Sequence, residues 1–216
     1  MGVGICAGYP EFHGVPRKGA VRKGGLVTRI IGIDPGIARA GYGVIDVIGN
    51  RLQPVSFGCI ETPSDWSTGA RLHAIHREVS DIVEKFKPEV MAVEELFFNR
   101  NTTTAFTVGQ ARGVILLAGV EHGVETAEYT PMQVKLAVVG YGKADKKQVQ
   151  EMVRVLLHLS ERPKPDDTAD ALAVAITHAH TAPLRQALIR TAGASNASRQ
   201  GPALRPSVPV ERKDKR

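Results

Sequence analysis

The 216-residue chain is long enough for one ordinary domain plus tails, is 43% hydrophobic and carries a net charge of +6. No run approaches the roughly 20 uninterrupted apolar residues of a membrane helix. The start, Met-Gly-Val-Gly-Ile-Cys, lacks a signal-peptide pattern, and Cys6 and Cys59 make no disulfide framework, so a cytoplasmic protein without a membrane partner is expected.

The positive charge belongs to the ends. Residues 1–28 hold four basic residues and one acidic, residues 184–216 eight and two, and 29–183 have a net charge of −3. Charge alone therefore does not establish nucleic-acid binding. Residues 1–28 are Gly-, Pro- and Lys/Arg-rich without periodicity and are expected to be disordered. A sharper expectation is that they are an untranslated extension. Lys23-Gly24-Gly25 is encodable by a ribosome-binding-like stretch, and Val27 is compatible with a GTG start.

The folded domain is expected over 29–183, beginning with strands at 29–34, 41–48 and 51–60 joined by short, antiparallel turns. Asp34 ends the first strand, and Gly36, Gly41 and Gly43 are read as letting the backbone turn and run back. Ser67 or Thr68 caps an amphipathic helix, with Leu72, Ile75, Val79, Ile82, Val83 and Phe86 on one face, which Pro88 stops. A strand at 89–94 follows through this helical crossover and is expected parallel to the first. A helix rich in small residues over 103–122, a fifth strand at 124–129, and helices near 131–139, 145–158 and 167–181 complete a mixed five-stranded α/β sheet covered by helices. Residues 184–216, with few large apolar side chains, are expected to form a disordered basic tail.

Four carboxylates stand out. Asp34 and Glu94 end strands that emerge together if parallel neighbours, and Asp167 and Asp170, three apart, share a helix face. Each has a plain structural alternative: Asp34 as a turn residue, Asp166 or Asp167 as a helix cap, Glu94 as a solvated side chain. Together they would repel one another unless a cation intervened, and oxygen-only donors point to a hard ion, Mg²⁺ or Mn²⁺.

Several stretches in order resemble the RuvC family of Holliday-junction endonucleases. They are Ile-Gly-Ile-Asp-Pro-Gly with Gly-Tyr-Gly-Val-Ile, Ala-Val-Glu-Glu-Leu-Phe, Gly-Gln-Ala-Arg-Gly-Val, Gln-Val-Lys with Val-Val-Gly, and Asp-Thr-Ala-Asp-Ala-Leu-Ala-Val-Ala. The resemblance covers about Arg29 to His180 and neither tail. It implies an RNase H-like fold with helices on both faces of the sheet, a homodimer, and symmetric cutting of four-way junction DNA with Mg²⁺, two ions per site. It also implies coupling to a RuvA–RuvB branch-migration complex. Asp34, Glu94, Asp167 and Asp170 match the metal carboxylates, with Asp166 the alternative to Asp167. Phe97 matches a base-stacking aromatic, and Lys135 and Lys146 match DNA-contacting lysines. Lys143 and Lys147 cluster with them around Gly140-Tyr141-Gly142.

Three rival readings are open, one of them a catalytically silent junction-binding module that would not depend on the four carboxylates. Another RNase H-like nuclease would share the carboxylates. The Asp-Pro-Gly turn also resembles the phosphate loop of actin-like sugar kinases, which need a second such loop and a longer chain.

Overall fold

The computed structural model describes Gly4–Ile5, Val21–Arg22 and residues 25–95 and 102–197, with side chains over 27–95 and 105–182. The chain divides into two compact units, residues 1–181 and 182–216.

Among the described residues, seven strands, β1 (Gly4–Ile5), β2 (Val21–Arg22), β3 (Gly25–Asp34), β4 (Arg39–Ile48), β5 (Arg51–Glu61), β6 (Val90–Glu94) and β7 (Glu125–Tyr129), make one sheet. Its order is β1-β5-β4-β3-β6-β7, with β2 paired to the start of β3. The five long strands are the five expected. β3, β4 and β5 are antiparallel, and β6 joins β3 in parallel, as the crossover requires.

The N-terminal edge of the sheet differs from the sequence reading. β3 starts at Gly25, not Arg29, because Val27 and Thr28 continue the ladder against Ile48 and Val47. Within the segment expected to be disordered, β1 pairs with Glu61 and Ile60, and β2 with Leu26 and Gly25.

The helices are α1 (Thr68–Phe86), α2 (Thr102–Glu121), α3 (Pro131–Val139), α4 (Lys146–Leu156) and α5 (Asp166–Ala197). Ser67 caps α1 by accepting from the Ala70 N–H at 3.3 Å. α3 and α4 each begin with a reciprocal capping box, Thr130 with Gln133 and Asp145 with Gln148. α5 runs past Pro183 to Ala197, beyond the expected end of the domain. The stretch Leu-Arg-Gln-Ala-Leu-Ile-Arg is made of good helix formers, whose summed propensity outweighs the proline.

The sheet is buried on both faces. Ile31, Ile33, Val44, Met91 and Val93 pack with Ile75 and Val79 of α1 and Ile115 of α2. Ile30, Ile45 and Ala92 pack with Val134 of α3, Val153 of α4 and Leu172 and Ile176 of α5. A buried ion pair ties this core to the end of α1. Arg29 Nε donates to Asp46 Oδ1 at 2.7 Å, and its Nη1 donates to the Phe86 carbonyl at 2.8 Å.

Candidate active site

Asp34 ends β3 and Glu94 ends β6, and these parallel strands run in register with Ile33 opposite Val93. Successive strand side chains alternate faces. Ile31 and Ile33 face α1 and α2, so Asp34, like Ile30 and Gly32, faces α5. By the same count Met91 and Val93 face α1 and α2, while Ala92 and Glu94 face α5. Both carboxylates leave the sheet on one side, where α5 begins.

Glycines bring α5 there. A Cβ on Gly32 would lie 2.1 Å from the Ala171 carbonyl oxygen, and one on Gly41 would lie 1.9 Å from that of Asp167. One on Gly43 would lie 2.6 Å from Leu172 Cδ2. Carbon atoms do not approach so closely, so the helix rests on bare strand backbone. This corrects the reading of Gly41 and Gly43 as turn residues. They lie inside β4, and of those three glycines only Gly36 serves the turn, where a Cβ would meet the Arg39 carbonyl at 2.1 Å.

The resulting pocket is strongly electronegative. Burial first, then the charges of Glu94, Asp170 and Asp167, and a hydrogen bond with Glu94, push the Asp34 carboxyl up to about 9. Burial and the Asp170 charge also raise Glu94, against the hydrogen bond from Asp34 and the charges of Lys146 and Lys135. That hydrogen bond raises Asp34 and lowers Glu94. Asp170 is raised too, its burial outweighing the hydrogen bond from Lys146. Burial disfavours the Lys146 ammonium, but its hydrogen bond to Asp170 and the charges of Asp170 and Asp166 leave its pKa raised.

The first turn of α5 presents its acids differently. Asp167, 27% exposed, lies 3.5 Å from Arg39 Nε, and its charge reaches Asp34. Asp166, 62% exposed, lies 3.4 Å from Lys146 Nζ, which is 2.9 Å from Asp170 Oδ2. Of the two neighbours, Asp167 is the one turned towards the strand carboxylates. The Arg39 pairing was not foreseen. A lone arginine after an Asp-Pro-Gly turn gives no signal that a helix some 130 residues later will meet it.

Among the described residues no three His, Cys, Asp or Glu side chains close into a ready-made metal cage. The donor set is nevertheless all oxygen, and burial beside like charges holds Asp34, Glu94 and Asp170 up. That is the electrostatic demand a hard divalent cation answers. The histidines serve packing: His178 Nδ1 pairs with the Tyr129 hydroxyl at 2.9 Å, and His180 Nδ1 with the Ala137 carbonyl at 3.0 Å.

Lys135 is close enough for its charge to act on Glu94. Lys143 and Lys147 are exposed beside Lys146, before and within the first turn of α4. Phe97 lies outside the described residues. No helix among the described residues is long and apolar enough to cross a membrane.

A family model described as crossover junction endodeoxyribonuclease RuvC matches residues 30–178. A relative of the same description from Desulfitobacterium hafniense is 59% identical over 152 residues, 70% of this chain and 92% of its own length. One from Heliobacterium modesticaldum is 60% identical over 152 residues, 70% of this chain and 94% of its own. The structure of Thermus thermophilus RuvC aligns with a TM-score of 0.69 at 41% identity, covering 73% of this chain and 96% of that one. That of T. thermophilus RuvC in complex with Holliday junction substrate aligns at 0.68 and 39% identity, with the same coverage. The fold is thus the RNase H-like fold of these resolvases. With this fold and these relatives, the chain belongs to the RuvC family of crossover junction endodeoxyribonucleases, nucleases that resolve Holliday junctions.

Proposed function

We propose that Asp34, Glu94, Asp167 and Asp170 are the catalytic, metal-holding carboxylates with which this chain hydrolyses phosphodiesters of a four-way junction in the cytoplasm. The observation that carries the reading is the convergence of charge on Asp34, whose carboxyl burial and three neighbouring carboxylates hold at about 9. The oxygen donors suit Mg²⁺, with Mn²⁺ able to substitute, and four carboxylates are enough for two ions. Bound there, such ions supply Lewis acidity to the attacking water and positive charge near the departing 3′ oxygen. The chain's own groups do the rest. Asp34 and Glu94 would hold the ions from the sheet, and Asp167 and Asp170 from the helix. Lys135, Lys143, Lys146 and Lys147 hold flanking phosphates, which makes affinity fall with salt. Phe97 is assigned the base-stacking role that family membership implies.

Exposed Phe106, Leu117 and Val120 lie along one side of α2, where a Cβ on Gly109 or Gly113 would meet nothing within 4 Å. This open apolar stripe supports a homodimer through α2, which would place two sites on opposed strands. Residues 29–183 carry the nuclease, and contact with a RuvA–RuvB motor is expected outside the catalytic pocket.

The test is incubation with a synthetic four-way junction and Mg²⁺. Wild type should cut symmetrically. Asp34→Asn and Glu94→Gln should bind the junction without cutting it, and added Mg²⁺ should not restore cleavage. Near-normal cutting by either variant overturns the assignment.

A further inference from the structure

α3 has two faces. Val134 and Val138 are buried in the core, while Met132, Lys135 and Leu136, three and four positions apart from the first, share the outer face. Met132 is 65% exposed, Leu136 49%, and Tyr141, on the turn that follows, 56%. A Cβ on Gly142 would lie 3.5 Å from Met132 Cγ and 3.6 Å from Leu136 Cγ, so the turn folds back against those side chains and the patch is continuous. The turn is well held. Gly140, at φ +79°, donates its N–H to the Leu136 carbonyl at 2.9 Å, and the Ala144 N–H donates to the Tyr141 carbonyl at 3.1 Å.

Exposed apolar side chains on a helix commonly mark a protein contact, but position and charge argue otherwise here. No acidic residue occurs between Thr130 and Ala144, whereas Lys135 and Lys143 do. Lys135, on the same outer face, is, with Lys146, one of the two lysines whose charge reaches Glu94. A strand whose phosphate reaches the carboxylates therefore crosses this face, and a protein seated there would block it.

We infer that Met132, Leu136 and Tyr141 form an apolar shelf for a nucleobase or deoxyribose of the strand being cut. The Tyr141 ring stacks on it, and Lys135 and Lys143 hold the phosphates on either side. The shelf lies on α3 and the turn after it, far in sequence from Phe97, and it rests on the nuclease reading of the carboxylates.

The experiment measures junction binding by the full chain in an Asp34→Asn background, with 2-aminopurine beside the scissile phosphate. Tyr141→Ala should weaken binding about tenfold, the lower part of the range for losing a base-stacking aromatic, and should abolish the 2-aminopurine quenching. Tyr141→Phe should bind like the parent, and Leu136→Gln should weaken binding. The salt slope should not move in any of the three, whereas Lys143→Ala should make it shallower by about 0.9. Parent-like binding by both Tyr141→Ala and Leu136→Gln overturns the shelf. So does a loss of binding that sedimentation traces to lost self-association, which would make the patch a protein contact. Failure of the unmutated chain to cut a junction with Mg²⁺ overturns the carboxylate reading itself, and the shelf with it.

Discussion

Asp34→Asn should make the metal-free protein more stable. The Asp34 carboxyl has an ordinary value of 3.8 and rises to about 9 in the folded chain. Folding at pH 7 therefore takes up a proton across about three pH units of penalty, roughly 4 kcal/mol. Because the folded value is the higher one, the protonated carboxyl's contribution is complete below about pH 4 and is lost as pH rises through 9. Asparagine carries no charge and can still donate a hydrogen bond to Glu94. The variant should thus gain about 2–4 kcal/mol at pH 7, which for a domain of this size raises the Tm by about 5–15 °C. Thermal and urea unfolding in EDTA, at pH 4, 7 and 8.5, would measure this. The gain should grow with pH and nearly vanish at pH 4. Millimolar Mg²⁺ should stabilise wild type more than the variant. A variant no more stable than wild type at pH 7 in EDTA would show that the carboxylates do not share a pocket.

Other outcomes follow from the same geometry. Arg29→Met strands Asp46, only 2% exposed, and should lower stability by about 3–5 kcal/mol in urea unfolding. The double variant Arg29→Met/Asp46→Leu should recover most of it, and a double variant as weak as the single contradicts the pairing argument. Gly41→Ala drives a carbon into the Asp167 carbonyl and should lower the Tm and abolish cutting with every carboxylate present. Native Tm with native cutting would refute the close packing of α5. Lys147→Ala should reduce the slope of log affinity against log salt by about 0.9, and an unchanged slope would remove Lys147 from the phosphate contacts.

The strands and helices were legible because each is written locally, in apolar runs closed by Gly or Pro and in a 3.6-residue period such as Leu72 to Phe86. The carboxylates were legible for a different reason. Strand ends and a helix face fix where Asp34, Glu94 and Asp170 emerge once β6 is known to run parallel to β3. What stayed hidden depends on contacts between distant segments. Nothing near Arg39 announces Asp167, nothing near Gly41 announces a helix backbone, and Lys146 reads as a surface lysine until α4 sets it against Asp170. Composition also misjudged the end of α5, because residues 184–216 were expected to be a tail from their few large apolar side chains, although the first of them are good helix formers.

The closest contact of α5 with Gly32 and Gly41 is main chain against main chain, with no flexible side chain between to compress or rotate. A site floored by such contacts resists being squeezed narrower around a substrate. Shape adjustment falls to the nucleic acid, and continuous duplex resists it at a price of several kcal/mol per sharp bend. A branch point, where stacking is already interrupted, meets that demand most easily. Stiffness at two glycines thus favours DNA that is itself pliable.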